Sequence, residues 1–237
     1  MRTKIGISIL FLLLACETLF EIELACILVH TTQVVKMESD LLGEREDVFI
    51  NLIWSWIYET PSGDAVVVER SIGDSTNFAP IDTLWGIDSV MYYTDNDSIL
   101  NANSLVYYKL AFFDGQRLEY FKTTSLTVPA SQHFYEPSTD TLTDTLLHIT
   151  YTELPDFGSC SIAVYKGIST DLESLVNFID PLFDTTLTYP DTTIVISLSD
   201  TTIYPNLTLY TIKLFSSNSI LTRTSFGFRA FFKIPEL

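Results

Sequence analysis

Three histidines (His30, His133, His148), three cysteines (Cys16, Cys26, Cys160) and three tryptophans (Trp54, Trp56, Trp85) are the side chains best suited to chemistry in this sequence. A hydrolytic triad needs a histidine beside an activated serine, and no G-x-S-x-G elbow occurs. His148 alternates with Leu147 and Ile149, which puts its ring on the opposite face of a strand from theirs. A Cys160–His148 dyad would need adjacent strands to align the pair, and no local motif supports it. There is no C-x-x-C and no Cys/His spacing suited to zinc. The acid pairs Asp95/Asp97, Asp140/Asp144 and Asp180/Asp184 could offer oxygens to calcium. None follows the calcium-loop pattern with its glycine and terminal glutamate, so turn residues are expected there and no metal or other cofactor. Aromatic faces stack on sugar rings, but Trp54 and Trp56 share the parity of a core face. Trp85, in "TLWGID", is left as the candidate exposed ligand-binding residue.

The elements that position these groups begin with a greasy N-terminus. Arg2 and Lys4 precede an apolar run from Ile5 to Ala15, and Glu17, Glu21 and Glu23 follow it. About 11 apolar residues suit the core of a signal peptide, whereas a spanning helix needs about 20. Extending the run would carry glutamates into hydrocarbon, at a few kcal/mol each. Its end, Leu13-Leu14-Ala15-Cys16, resembles the lipobox of bacterial lipoproteins. That resemblance implies cleavage before Cys16, a lipid anchor on Cys16, and a protein held to a membrane of the cell envelope, facing the periplasm or the exterior.

The formal charge is −17, and loss of Arg2 and Lys4 with the signal makes the mature chain two charges more acidic. Such a chain is repelled by nucleic acid, while basic or neutral partners stay open. Cys26 and Cys160 could pair in an oxidising compartment, but they lie far apart in the sequence and buried free thiols are expected.

Thr, Val, Ile, Tyr and Phe dominate, helical blocks are missing, and turn signals recur every 8–12 residues or so, the rhythm of a β-sandwich. Residues 20–28 alternate, with Phe20, Ile22, Leu24, Cys26 and Leu28 on one side, and a second short run spans 32–37. After a turn at 41–47, "VFINLIWSWIY" (48–58) puts Val48, Ile50, Leu52, Trp54 and Trp56 on one face. Asp114-Gly115, flanked by aromatic alternation, signals a hairpin.

Residues 48–128 are similar to a fibronectin type III module. The matching features are Trp56, Val66-x-Val68-x-Arg70, Tyr93-Thr94-Asp95, and Tyr108, Leu110 and Phe112 within "VYYKLAFFDG". Val106 stands where the family's corner tyrosine is expected, so Tyr107 or Tyr108 would have to replace it. The pattern recurs in "LLHITYTEL" (146–154), "CSIAVYKG" (160–167) and "LYTIKLFSSN" (209–218), with Tyr151 in place of Trp56 and Tyr210 at the corner position. The resemblance implies an all-β chain of two tandem immunoglobulin-like sandwiches. The expected organisation is a signal peptide at 1–15, a lipidated N-terminus with leading strands at 16–47, a first module at 48–128 and a second at 129–237. It further implies interaction rather than catalysis: a binding or spacer module with a protein or polysaccharide partner, or a carbohydrate-binding accessory of a polysaccharide-handling assembly. The second reading requires Trp85 and at least two tyrosines on one exposed flat patch.

Overall fold

The computed structural model describes residues 26–57, 60–143 and 145–235; Cys16 and the alternating positions Phe20, Ile22 and Leu24 lie outside them. The chain is all-β, with two sandwiches. In the first, β1 (Cys26–Met37), β2 (Arg45–Trp56) and β5 (Val90–Asp95) pair antiparallel in that order. They face a sheet of β4 (Ala79–Trp85), β3 (Ala65–Ile72), β6 (Leu105–Phe113) and β7 (Leu118–Thr127), in the order β4-β3-β6-β7. Val48, Ile50, Leu52 and Trp54 are buried between the sheets with Val66, Val68, Leu110 and Leu126, as the period of two requires. Trp54 is the fully buried indole. Trp56 packs against the first core, tilted against Phe112 and edge-on to Phe121.

The second sandwich repeats the order. β8 (Phe134–Glu136), β10 (Leu146–Tyr151) and β13 (Thr193–Ser197) make one sheet. β11 (Ser159–Lys166), β12 (Phe183–Thr188), β14 (Thr208–Ser217) and β15 (Arg223–Lys233) make the other, and the short β9 (Thr141–Leu142) pairs with β15. Leu147, Ile149, Tyr151, Ile162, Ile212 and Phe231 fill this core. This strand order is that of a fibronectin type III-like sandwich in both halves.

The two sandwiches lie side by side. β1 pairs with β2 along its whole length and also, in parallel, with β15, from Thr32 opposite Arg223 to Met37 opposite Phe228. One continuous sheet therefore runs β12-β11-β14-β15-β1-β2-β5 across both sandwiches. The reading of two separate leading runs is corrected: within the described residues a single strand spans 26–37. The alternation breaks at Val34-Val35 because β1 is buried on both faces there. Val34 enters the first core, while Val35 and Met37 enter a third cluster on the outer face of the joined sheet. That cluster contains Leu42, Phe226, Phe228 and Ala230 and is capped by α1 (Leu172–Val176), whose Leu175 is fully buried. Asp171 accepts a hydrogen bond from the Ser174 N–H at 2.8 Å and starts the helix.

The other face of the seam is crossed by the connection between the sandwiches. Gln132 is fully buried and donates from Nε2 to Ser216 Oγ at 2.8 Å. Ser225 donates to the Ala130 carbonyl at 2.8 Å. Glu38 pairs with His133 Nδ1 at 2.7 Å and accepts from the Phe134 N–H at 2.5 Å, while Arg229 donates to the Glu38 carbonyl at 2.6 Å and to Asp140 at 3.3 Å. Gly227 sits mid-strand because a Cβ there would lie 2.8 Å from Gln132 Cβ. Gly227→Ala is expected to lower stability by about 1–3 kcal/mol through this overlap. Urea denaturation checks it: an unchanged midpoint would deny that Gln132 crowds this position.

Candidate recognition surface

Side chains that leave β3, β4, β6 and β7 away from the core form the outer face of the first sandwich. Ala65, opposite both Trp85 and Phe113, begins the face, and Val67, opposite Thr83 and Ala111, continues it. Ala65, Val67 and Ala111 are short and buried, so they make a floor. The surrounding side chains stand above it. Trp85 is 72% exposed and meets Phe113 edge-on at 6.3 Å between ring centroids. Leu118 lies opposite Phe113, and Tyr120 lies opposite Ala111. The Tyr120 hydroxyl donates to Glu69 Oε1 at 3.1 Å. The Lys109 ammonium lies 4.0 Å from the centroid of the Phe78 ring, which holds its charge over an aromatic face. The result is an apolar surface, a short floor rimmed by aromatic side chains with one cation at its far end, able to receive another apolar or aromatic group. Two tyrosines turn outward on this sheet: Tyr120 near Trp85, and the partly exposed Tyr107, opposite Ser71 at the other end of β3 from the Ala65–Trp85 rung; Tyr92, also exposed, is on β5 in the opposite sheet.

Trp85 was legible as an exposed aromatic. Phe113, Leu118 and Tyr120 were not singled out, although the outward parity of Lys109, Ala111 and Phe113 in "YYKLAFF" was available as a signal.

Asp95 corrects its expected role as a turn residue. It is 2% exposed, and both of its oxygens lie 2.7 Å from Arg70 Nη1. Tyr108 donates to the same carboxylate at 2.6 Å, and Asp97 accepts from Arg70 Nη2 at 2.9 Å. Burial works against the Arg70 charge, but its bonds to Asp95 and Asp97 outweigh that and hold it above its ordinary pKa. Burial and the bond to Asp95 raise Tyr108 far above the usual phenol value. Tyr108 faces Arg70 across the ladder just as Tyr210 faces Lys166. Tyr210 makes the corner bond, donating to the Pro205 carbonyl at 2.8 Å. Tyr108 occupies the same rung and sends its hydroxyl to Asp95 instead, so the corner position is Tyr108 and not Val106.

The remaining candidates are dispersed. His148 is exposed on β10, His30 lies on β1, and His133 pairs with Glu38 at the seam. Asp140 pairs with Arg229, Asp184 lies on β12, and Asp144 falls outside the described residues. Among the described residues no group of three His, Cys, Asp or Glu side chains is placed to hold a metal. Cys26 and Cys160 are buried free thiols in different cores, and desolvation pushes Cys160 up to about 11.

No protein-family model and no curated protein matches the sequence. Among solved structures, the chain is similar to the FN1–FN3 domains of chicken CNTN1, at 8% identity and a TM-score of 0.38, covering 82% of this chain and 60% of that one. It is also similar to a two-domain fibronectin type III segment of chicken tenascin, at 11% identity and a TM-score of 0.26, covering 76% of this chain and 90% of that one. The chain thus spans three fifths of the CNTN1 structure. Strand order and the Tyr210 corner carry the fold assignment.

Asp95→Asn should cost about 3–5 kcal/mol, because it leaves the buried Arg70 charge without its main partner. Tyr108→Phe should cost about 0.5–1.5 kcal/mol for one hydrogen bond. Chemical denaturation of both variants checks the order; equal losses would deny Asp95 its central place.

Proposed function

We propose that this chain is a lipoprotein of the bacterial cell envelope. In this reading lipid on Cys16 tethers it to a membrane, and its paired sandwiches present a rigid binding surface to a partner outside the cytoplasm. Fibronectin type III-like modules commonly act as binding or spacer units. The side-by-side pairing through β1 and β15 favours binding, because a spacer gains length only when modules are joined end to end. The observation that carries the reading is the Trp85 face: a 72%-exposed indole over a floor of Ala65, Val67 and Ala111. Large exposed apolar groups gathered on one face mark interaction sites. The role is recognition rather than catalysis. A protein partner is favoured over a polysaccharide because the second tyrosine of this face, Tyr107, is only partly exposed and stands at the other end of β3 from Trp85, so the two tyrosines and Trp85 do not make one exposed patch.

Two measurements test this. Mass spectrometry of the N-terminal peptide should find diacyl or triacyl Cys16; an unmodified Cys16 or another N-terminus overturns the anchor. The lipidated protein should titrate two thiols in denaturant, from Cys26 and Cys160, and neither should react in the native state. For the surface, wild type and Trp85→Ala are compared in pull-downs from envelope extract and in retention on insoluble envelope polysaccharide. The variant should lose its protein partner while keeping its stability within about 0.5 kcal/mol. Trp85-dependent retention on polysaccharide would instead support the carbohydrate reading.

A further inference from the structure

The edge of β1 is only half used. Its ladder to β15 begins at Thr32, where the Thr32 N–H donates to the Thr222 carbonyl at 2.8 Å, and continues to Glu38, whose N–H donates to Phe228 at 3.0 Å. Even-numbered residues therefore turn their backbone groups toward β15, and odd-numbered residues turn theirs toward β2. By the same alternation, the N–H and C=O groups of Cys26, Leu28 and His30 point to the β15 side. Among the described residues no strand is hydrogen-bonded to them there, although β7 of the facing sheet passes close to β1 and brings Lys122 near Cys26. The opening is about 20 Å long at the rise of a β-strand. It is bordered by the exposed side chains of Ile27 and Val29, and the turn before β15 exposes Ile220 and Leu221 at its end.

Exposed edges are usually blunted by charge, proline or a bulge. β4 carries Pro80 and a bulge, β7 carries Glu119 and Lys122, and β12 carries Asp184. "CILVHT", the first half of β1, has none of these, and the rest of the same edge already accepts a parallel neighbour.

We infer that Cys26–Thr31 is a strand-addition site, where an extended segment of a partner polypeptide pairs parallel to β1 and in line with β15. Main-chain hydrogen bonds to Leu28 and His30 supply the affinity. Apolar β-branched residues at alternate positions of the partner pack on Ile27 and Val29. The chain's formal charge of −17 favours a neutral or basic segment over an acidic one. This surface is separate from the Trp85 face, so either can fail alone.

The test uses the full chain in detergent and a synthetic peptide of alternating valine and threonine with a lysine at each end. A copy of the peptide N-methylated at alternate residues serves as the control. The peptide should slow amide exchange at Leu28 and His30, and the N-methylated copy should not. His30→Pro removes an edge-side N–H and leaves the ladder to β2 intact. It should weaken binding about tenfold relative to His30→Ala, with thermal melting confirming that both variants fold. Equal binding by the two variants overturns the site. So does slow exchange at Leu28 and His30 before peptide is added, or a dimer in which a second copy already protects these amides.

Discussion

The parallel pairing of β1 with β15 is the contact on which the rest of this molecule depends. It turns two small sandwiches into one sheet of continuous hydrogen bonding. Without it, Val35 and Met37 would lose Phe226 and Phe228 as neighbours, and α1 would have no surface to cap. Each such side chain, fully buried, contributes about 1.5–3 kcal/mol, so this outer cluster is a third core in energetic terms. The seam also explains the polar groups placed around it. Glu38, at the end of β1, gathers His133, the Phe134 amide and Arg229 from the second half of the chain, and the connection is held against the sheet.

That arrangement separates two tasks. The seam sets the relative position of the sandwiches through strand geometry, which tolerates little drift in register because a one-residue slip would turn Val35 and Met37 inward. The outer face of the first sandwich contributes nothing to the seam and is free to vary its side chains. Its small buried floor and tall exposed rim suit recognition for that reason. The Arg70–Asp95–Tyr108 group lies beneath, within the sandwich, and ties β3, β5 and β6 together without reaching solvent.

Sequence reasoning reached the parts of this fold in which one side of a strand is wet. Val48, Ile50, Leu52 and Trp54 announce their face through the period of two, with Asn51 and Ser55 marking the opposite face, and Tyr210 falls on its corner because its bond is local. The seam was not legible: Val34-Val35-Lys36-Met37 reads as an ordinary apolar run, and nothing nearby tells that its neighbour is Phe226–Phe228. Asp95 was misread for a related reason. Asp-Asn-Asp looks like a solvated turn, and only the approach of Arg70 from another strand makes a buried carboxylate sustainable. Trp85 was legible because core-face parity claims Trp54 and Trp56 and leaves it over, but its companions come from β6 and β7, which only the sheet brings alongside.

The hydrogen bonds that tie Glu38 to Arg229 and Thr32 to Thr224 span 191 and 192 residues. Among the described residues the first strand thus waits for the last. During synthesis β1 can pair with β2 early, but its second edge stays open until β15 arrives, with the long loop-closure delay that separation implies. A chain broken off before β15 would keep that edge bare, together with the apolar side chains that α1 should cover. Incompleteness would then be visible to proteases and chaperones along β1, so the closed seam doubles as a mark that both sandwiches have been made.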